Sequence, residues 1–202
     1  MSIKRVGIFG GTFNPPHLGH TNAAKKFVSE MDLDELIIIP TNIPPHKDFS
    51  IATTAAHRIQ MCKLAFQDVD KAVVSDIEIR RGGVSYTYQT LSDLSSENVQ
   101  LYFLCGTDMI LSLDKWMHPE IIFNLANICY IRRENDREIS QAIASKIQIY
   151  KSKFKAEIYE IVSDSIEISS SYIRERLNSS DESEMLISDS VLQYIKDKGL
   201  YK

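Results

Sequence analysis

The sequence predicts an α/β fold: a doubly wound (Rossmann-like), mostly parallel sheet with helices on both faces and a small C-terminal helical part. Apolar runs alternate with amphipathic helical patterns along the 202 residues, as in sheets whose parallel strands are joined by helices. The apolar runs are continuous, which is typical of strands buried on both faces. An apolar content of 44% suffices for one core. We therefore expect a single domain, 1–202, with its C-terminal helical part at about 168–202.

Predicted strands and helices follow one another in a regular order. The predicted strands are Val6–Phe9, Leu36–Ile39, Ala72–Ser75, Leu101–Cys105, Ile128–Ile131 and Glu157–Val162. The predicted helices lie near Leu18–Met31, Thr54–Phe66, Thr87–Leu94, Ile121–Leu125 and Asp136–Tyr150. Ligands of doubly wound sheets bind beyond the carboxyl ends of the strands, so the turns after Phe9, Ile39, Cys105 and Ile131 should share one rim. The polar patch Asn178–Glu184 is expected to join two terminal helices.

The amino-acid composition indicates which classes of partner to exclude and in which cellular compartment to expect the protein. The net charge is −4, without a block of like charges, so we expect neither a nucleic acid nor a membrane as partner. No apolar run approaches the roughly 20 residues that span a bilayer, and the first strand follows Met1 too closely for a signal peptide. Cys62, Cys105 and Cys129 lie far apart in apolar surroundings, without metal-ligand spacing. Each is expected to be a reduced core residue of a cytoplasmic protein.

The most specific stretch lies between the first predicted strand and the first predicted helix. It reads Gly10-Gly11-Thr12-Phe13-Asn14-Pro15-Pro16-His17-Leu18-Gly19-His20. Paired glycines in a turn let backbone N–H groups face a ligand, and a helix start adds free N–H groups and a positive dipole end. His17 and His20 are three apart, so on a helix they share one face. Each feature alone also fits a harmless loop or a helix cap, but together they predict a phosphate site with two imidazoles.

Two further turns on the predicted rim carry polar residues. The loop Pro44-Pro45-His46-Lys47 is stiffened by its prolines, which lowers the cost of holding the two basic side chains in place; a solvated surface loop is an equal alternative. After the fourth strand, Gly106 allows close backbone approach, and Asp108 can accept hydrogen bonds from ribose or adenine. An ordinary turn aspartate is the alternative there.

The stretch 76–91 is interpreted as a strand, a glycine turn and a helix opened by Ser85 or Thr87. A helix start offers its N–H groups to a carboxylate as readily as to a phosphate, although plain capping is the simpler explanation. Trp116, the single tryptophan, lies among charged residues, where its ring can stack on a flat ligand ring. A positively charged ring would add a cation–π term of about 1 kcal/mol. Core packing is the ordinary role of a lone tryptophan.

A last motif lies near the C-terminus and reads Ile168-Ser169-Ser170-Ser171-Tyr172-Ile173-Arg174. We interpret it as a helix start capped by serines, with Arg174 in the first turn. A cation there opposes the helix dipole unless an anion binds where both can stabilise it. The motif therefore indicates a second part of a triphosphate site.

The glycine–histidine stretch resembles the GGTFDPxHxGH signature of the nucleotidyltransferase superfamily, whose members transfer a nucleotidyl group from a nucleoside triphosphate. Asn14 stands where aspartate is usual. Later blocks are similar, in the same order, to those of bacterial nicotinate-nucleotide adenylyltransferases: the PPHK loop, a D-x-E…SYT block, a G-x-D turn, a K-W pair at Lys115-Trp116 and an ISSxxIR motif. Many members read R-P-G where this chain reads Arg133-Glu134-Asn135, which leaves the shape of that loop open.

The resemblance implies roles for individual residues. It implies catalytic roles for His17, His20 and Arg174. It implies ATP binding by Gly10, Gly11, Thr12, Phe13, His17, His20, Gly106, Asp108, Arg133, Ile168, Ser169, Ser170 and Arg174. It implies binding of nicotinate mononucleotide by Thr12, Asn42, Lys47, Tyr86, Thr87, Trp116 and Met117. Arg58 carries less weight, as its family counterpart merely lies near the active site. Mg²⁺ would arrive with ATP, because the sequence offers no dedicated carboxylate cage.

The implied reaction joins ATP and nicotinate mononucleotide to give deamido-NAD and pyrophosphate, in NAD biosynthesis. The 5′-phosphate of the mononucleotide, with a second pKa of about 6, is already a competent nucleophile. The protein would then have to align the substrates and stabilise developing charge. Two alternatives remain: another nucleotidyltransferase of the superfamily, such as a pantetheine-phosphate adenylyltransferase, or a non-catalytic nucleotide-binding module. The sequence leaves open whether the chain forms a homo-oligomer.

Overall fold

A parallel sheet of six strands forms the centre of the computed structural model, which describes residues 3–45, 53–132, 137–162, 168–177 and 186–201. The strands are β1 (Lys4–Gly11), β2 (Glu35–Pro40), β3 (Ala72–Val74), β4 (Val99–Gly106), β5 (Ala126–Ile131) and β6 (Ile158–Ile161). Their order across the sheet is β3-β2-β1-β4-β5-β6. Ile8 of β1 lies opposite Ile37 of β2 and Phe103 of β4, and both pairings are parallel. The strand order therefore reverses between β1 and β4.

Helices join the strands and cover both faces of the sheet. They are α1 (Leu18–Glu30), α2 (Ala55–Phe66), α3 (Ile77–Arg81), α4 (Thr87–Leu94), α5 (Thr107–Ser112), α6 (Pro119–Leu125), α7 (Arg137–Phe154), α8 (Ser170–Leu177) and α9 (Asp189–Lys198). A 3₁₀ helix, Leu113–Lys115, follows α5. The doubly wound sheet that the sequence predicts is confirmed. Within the described ranges, no helix is both long enough and apolar enough to cross a membrane.

Two apolar clusters, one on each face, hold the helices on the sheet. One contains Phe27 of α1 and the other Tyr150 of α7, and both side chains are fully buried. β1 contributes to both clusters because successive strand residues face opposite sides. Its Phe9 packs on the side of α1 and its Ile8 on the side of α7. The central strand that leads into the glycine–histidine stretch is thus fixed from both faces.

The cysteines are core residues, as predicted. Cys62, Cys105 and Cys129 are free and buried. Burial raises the pKa of Cys129 to about 12 and raises the pKa values of the other two thiols as well. All three therefore stay protonated at neutral pH, so these thiols pack as small apolar groups.

The C-terminal helices pack on α2 rather than on the sheet. A third apolar cluster joins Met61 of α2 to Ile173 of α8 and Ile195 of α9. The Leu18 N–H at the start of α1 donates to the Leu186 carbonyl at 2.8 Å. These contacts bring the C-terminal residues to the carboxyl edge of β1.

Two predicted local structures are wrong. Gly10-Gly11 belongs to β1 rather than to a turn, because pairing with β2 continues as far as Gly11 opposite Pro40. The predicted strand that begins at Asp76 is instead α3. There the Asp76 carbonyl accepts the Arg80 N–H at 2.8 Å, and the Asp76 carboxylate accepts Arg80 Nε at 2.7 Å. Isoleucines alternating with polar residues imitate the period of a strand, and this local helical bonding overrides the pattern.

The remaining predicted elements are present, with ends displaced by a few residues. The sequence interpretation also misses α5, which begins directly after β4 without a linker and is only six residues long. The polar patch Asn178–Glu184 lies outside the described residues.

Candidate active site

The carboxyl ends of β1 and β4 lie side by side where the strand order reverses, which is where doubly wound sheets bind ligands. β1 ends at Gly11 and β4 at Gly106. A Cβ at Gly10 would meet no atom within 4 Å, so a ligand can approach the backbone closely at that point. The predicted rim therefore exists, and its centre is the gap between these two strands.

Two histidine rings lie against each other at the start of α1, tilted by 31°. His17 precedes the helix with an extended backbone (φ −142°, ψ 171°), and His20 is the third helical residue. Their ring centroids are 3.6 Å apart. The His17 N–H donates to Nδ1 of His20 at 3.2 Å, so a neutral His20 carries its proton on Nε2 and can donate it to a phosphate oxygen. The structure brings the rings together as predicted, although His17 caps the helix instead of sharing its face.

Hydrogen bonds to two backbone carbonyl groups hold the end of β1 and the segment that follows it. The Gly11 carbonyl accepts the Thr41 N–H at 2.9 Å, and the Thr12 carbonyl accepts Nη1 of Arg58 at 2.9 Å. Phe13 has a left-handed backbone (φ 48°) and a ring that is only 1% exposed. The ring anchors the segment in the core, which leaves the Phe13 backbone to face a ligand.

The C-terminal part of the chain holds the next two residues of the same loop. Arg174 donates from Nη1 to the Asn14 carbonyl, and Ser170 donates from Oγ to the Pro15 carbonyl, each at 2.8 Å. The Tyr201 hydroxyl donates to Oδ1 of Asn14 at 2.7 Å. Burial raises the pKa of Tyr201 although two arginines nearby oppose the shift, so the phenol remains a donor. The Asn14–Pro15 peptide is cis. Residues from both ends of the chain thus form one loop assembly.

Arg174 does not lie in the first turn of its helix. It is the fifth of the eight residues of α8 and belongs to the last turn, where a cation suits the helix dipole. The dipole argument for a triphosphate site is therefore wrong, and only the position of Arg174 beside the loop supports it. Ser169 does cap α8, since its Oγ accepts the Tyr172 N–H at 3.1 Å. Ile168 is 6% exposed and packs in the C-terminal cluster, so only its backbone can reach a ligand.

Removing the Tyr201 hydroxyl should loosen this loop assembly. We expect Tyr201→Phe to lower the free energy of unfolding by about 1–3 kcal/mol, because a buried acceptor on Asn14 loses its donor. The KM for ATP should rise as well, since the same loop leads to His17. Urea unfolding and initial-rate kinetics measure the two effects. Tyr102→Phe is the matched control: that hydroxyl bonds Gln100 near the amino end of β4, so KM should not change.

Two loops that carry predicted acceptor residues are joined to each other. Asn42 donates from its backbone N–H to Oγ of Ser85 and from Nδ2 to the Gly83 carbonyl, both at 2.9 Å. The Ser85 N–H donates to the Ile43 carbonyl at 2.8 Å. Ser85 therefore does not cap the following helix, contrary to one of the two predicted caps; α4 starts at Thr87. The Nδ2 group of Asn42 therefore helps to hold the two loops together.

The first turn of α4 presents backbone N–H groups at the predicted carboxylate site. Tyr86 is the N-cap, with an extended backbone (φ −96°, ψ 128°). Its carbonyl accepts the N–H groups of Gln89 at 3.1 Å and of Thr90 at 3.3 Å. The N–H groups of Thr87 and Tyr88 therefore have no carbonyl acceptor within the helix. The nearby Arg81 side chain donates to Asp93 and Thr90, so its charge is already compensated.

Aromatic rings surround the segment that contains Trp116. The Trp116 ring is half-buried and meets the Phe103 ring edge-on, with centroids 6.2 Å apart. The ring of Tyr88 packs on that of His118 at 4.7 Å. Met117 is 49% exposed. An apolar wall with an exposed thioether beside it suits a flat ligand ring.

A polar contact with α7 holds the turn that precedes Trp116. Asp114 accepts hydrogen bonds from Lys146 at 2.8–2.9 Å and from the Tyr150 hydroxyl at 3.0 Å. Burial pushes the pKa of Asp114 upward, but these hydrogen bonds and the charge of Lys146 outweigh it, so the pKa lies below its ordinary value. The ionised carboxylate thus stabilises the folded protein.

This contact should make stability depend on pH in the acid range. A carboxyl group whose pKa falls on folding stabilises the protein above its unfolded pKa, and the contribution disappears as the pH falls through the folded pKa. We expect Asp114→Asn to cost about 1 kcal/mol at neutral pH, and the cost should vanish in acid. Urea unfolding of both proteins across the acid range measures this difference. A cost that stays constant with pH would contradict the ionic origin.

The remaining predicted site residues divide into described and undescribed ones. Asp108 is exposed in the first turn of α5. Its carboxylate oxygen Oδ1 lies 3.0 Å from the point that a Cβ would occupy if Gly106 carried one. Arg132, the last described residue before Arg133, pairs with Glu160 at 3.3 Å. Two predicted cations, Lys47 and Arg133, lie outside the described residues, as do His46, Glu134 and Asn135.

Three residues of the loop assembly are missing from the sequence prediction. Tyr201 and the side chain of Asn14 bond each other across 187 positions, and Thr41 holds Gly11 from the next strand. No spacing pattern marks such contacts. Arg58 carried a weak signal through the resemblance, but its partner, the Thr12 carbonyl, is backbone and has no sequence signature.

Metal-binding side chains do not gather at this site. In the described part of the chain, no group of three or more His, Cys, Asp or Glu side chains is placed to hold a metal ion. The assembly contains backbone N–H groups, imidazole and guanidinium, which are groups that can donate hydrogen bonds to an anion.

Comparison with known sequences identifies related proteins over the full length. A profile of the family described as cytidylyltransferase-like matches residues 8–176. The nicotinate-nucleotide adenylyltransferase of Bacillus subtilis (strain 168) is 36% identical over 99% of this chain and 100% of its own length. A probable nicotinate-nucleotide adenylyltransferase of Clostridium botulinum (strain Eklund 17B / Type B) is 34% identical over 99% of each chain.

Comparison with solved structures agrees on the fold. The Plasmodium falciparum nicotinic acid mononucleotide adenylyltransferase complexed with NaAD superposes with a TM-score of 0.74 over 98% of this chain and 97% of that chain, at 21% identity. The same protein complexed with APC gives a TM-score of 0.73 at 20% identity. The same arrangement of sheet and helices therefore occurs in proteins whose sequences are only 20–21% identical to this one.

Proposed function

Because the chain belongs to the cytidylyltransferase-like family and, within it, to the nicotinate-nucleotide adenylyltransferases, we propose that it transfers the adenylyl group of ATP to nicotinate mononucleotide. The products are deamido-NAD and pyrophosphate. The observation that carries the proposal is the loop assembly at the gap between β1 and β4, where the His17 and His20 rings lie side by side and Arg174 holds the Asn14 carbonyl of the same loop. An anion site at this point of a doubly wound sheet fits a nucleoside triphosphate.

The protein supplies charge stabilisation for the transfer. An oxygen of the mononucleotide 5′-phosphate attacks the α-phosphorus of ATP, the bond from that phosphorus to the bridging oxygen breaks, and pyrophosphate leaves with the electron pair. His20 donates from Nε2 to a phosphate oxygen, and His17 and Arg174 lie beside the same anion. Donors fixed before the reaction stabilise the extra charge of the transition state without reorganisation.

No general base is needed for this reaction. The attacking 5′-phosphate is mostly dianionic at neutral pH, with a second pKa of about 6. The remaining task is alignment of two bound substrates. We assign Gly106 and Asp108 to the adenosine part of ATP, Ser169 and the backbone N–H of Ser170 to its distal phosphates, and the turn that opens α4 to the nicotinate carboxylate.

Magnesium fits this site as a companion of ATP. Among the described residues no group of three or more metal-ligating side chains gathers, so the phosphates of ATP would carry the ion, and the exposed Asp108 in the first turn of α5 would be available to it. Mg²⁺ bound in this way would neutralise phosphate charge.

Product formation tests the proposal directly. The protein is mixed with ATP, Mg²⁺ and one acceptor at a time: nicotinate mononucleotide, nicotinamide mononucleotide or 4′-phosphopantetheine. We expect fast pyrophosphate release with the first, together with the mass of deamido-NAD. Faster release with 4′-phosphopantetheine would favour the related transferase. ATP binding without pyrophosphate release from any acceptor would favour a non-catalytic nucleotide-binding module.

A further inference from the structure

Arg58 is a buried cation at an unfavourable position in its helix. It is the fourth residue of α2, close to the positive end of the helix dipole, and 1% exposed. Burial lowers its pKa, which the nearby Cys62, Tyr201 and Glu78 oppose. None of the ion pairs among the described residues includes Arg58. A guanidinium that is costly to bury and lacks a paired carboxylate needs another reason to be there.

Its hydrogen-bond partner supplies that reason. Arg58 Nη1 donates to the Thr12 carbonyl at 2.9 Å. The peptide between Thr12 and Phe13 is planar and trans, so its C=O and its N–H point in opposite directions. When Arg58 draws the carbonyl toward α2, the Phe13 N–H turns toward the other side of the loop. The Phe13 ring is buried and cannot rotate the segment back.

A second contact acts on the preceding peptide in the same manner. The Thr41 N–H holds the Gly11 carbonyl on the side of β2 at 2.9 Å, so the Thr12 N–H points away from β2, toward the gap beside β4. Two successive amide groups are therefore oriented by contacts on their carbonyl sides. The contact from Thr41 is backbone, whereas that from Arg58 depends on one side chain and is open to mutation.

We propose that Arg58 is a positioning residue of the phosphate site: it orients the Phe13 N–H toward a phosphate of ATP without touching the substrate. The proposal rests on the proposed function. It separates Arg58 from the residues that contact the anion, and it gives the buried charge a role in turnover. The long-range field of the guanidinium favours the same anion.

Three substitutions of Arg58 test this role. Arg58→Met removes the donor and the charge at similar volume, Arg58→Lys keeps both, and Arg58→Ala leaves space for added guanidinium. We expect kcat of the Met variant to fall at least about tenfold, because one oriented donor at a charge-developing site is worth that much or more. KM for nicotinate mononucleotide should stay within about twofold, and Lys should retain more activity than Met. Guanidinium at non-denaturing concentration should raise kcat of the Ala variant saturably.

Arg5→Ala is the matched control. Arg5 also donates from its guanidinium to a backbone carbonyl, Met31 at 2.9 Å, but near the amino end of β1. Its loss should lower stability and leave kcat per folded molecule unchanged. A folded Arg58→Met protein with the kcat of the wild type would overturn the proposal. So would failure of both the Met and the Lys variants to fold, since Arg58 would then serve the core. Absence of turnover in the wild type would instead reject the proposed function itself.

Discussion

Replacing His20 with alanine should lower kcat for adenylyl transfer at least about a hundredfold, which corresponds to roughly 2.7 kcal/mol of transition-state stabilisation. The His20 Nδ1 accepts the His17 N–H, so the proton of the neutral ring lies on Nε2, the atom that we assign to a phosphate. Charge on the phosphates grows as the bond to pyrophosphate breaks, so this hydrogen bond is strongest in the transition state. Rapid-quench measurement of pyrophosphate at saturating ATP gives kcat directly.

His20 has a second role that the experiment must separate from the first. Its ring accepts a hydrogen bond that helps to cap α1, so alanine should also cost about 1 kcal/mol of stability. Urea unfolding measures that cost, and kcat is then calculated per folded molecule. His57→Ala is the control: His57 of α2 contacts the Tyr194 hydroxyl of α9 at 2.8 Å, and its loss should leave kcat unchanged. Near-normal kcat in folded His20→Ala would remove the proposed role.

The sequence predicts the fold and the centre of the site because their signals are local. Continuous apolar runs of strand length leave few arrangements other than a parallel sheet covered by helices. The strand–loop–helix order then places His17 and His20 at a carboxyl edge, whichever strand order follows. A local pattern can nevertheless mislead: the alternation from Ile77 to Ile79 indicates a strand, but α3 forms there.

Local sequence patterns do not predict the long-range contacts that support the site. Arg174 and Asn14 meet across 160 positions, and Arg58 reaches Thr12 across 46. Each contact ends on a backbone carbonyl, which every residue type offers. Sequence spacing therefore cannot distinguish a guanidinium that holds a loop from one that binds a phosphate. In this chain the Arg174 guanidinium does hold the loop through the Asn14 carbonyl.

The acid form of the acceptor should be preferred over the amide. We expect kcat/KM for nicotinate mononucleotide to exceed that for nicotinamide mononucleotide at least about a hundredfold, because charge-assisted hydrogen bonds are worth about 1.5–3 kcal/mol each. The donors are the N–H groups of Thr87 and Tyr88, which the first turn of α4 leaves over. A carboxylate accepts from both, whereas the NH₂ group of the amide would face a donor. Initial rates with each acceptor at saturating ATP give the ratio.

Substitution of Thr87 can remove one of these donors without disturbing the helix. Proline is compatible with the first helical position, and the extended backbone of Tyr86 is the conformation that a residue before proline adopts. Thr87→Pro should therefore lower the acid-to-amide ratio about tenfold or more. Thr87→Ala, which keeps the N–H and loses the hydroxyl, should retain the ratio. Trp116→Ala should weaken both acceptors alike, because both carry the same pyridinium ring.

These variants separate two sources of selectivity that one measurement would confuse. If the ring wall around Trp116 discriminated, its loss would change the ratio and Thr87→Pro would not. If backbone donors discriminate, Thr87→Pro should change the acid-to-amide ratio and loss of Trp116 should not. The ratio should then fall little with added salt, since a carboxylate at a partly enclosed helix start is poorly screened. Equal kcat/KM for the two acceptors in the wild type would rule out a carboxylate pocket at α4. The helix start would then be only a structural boundary, and the adenylyl acceptor would have to be recognised through its phosphate and ribose.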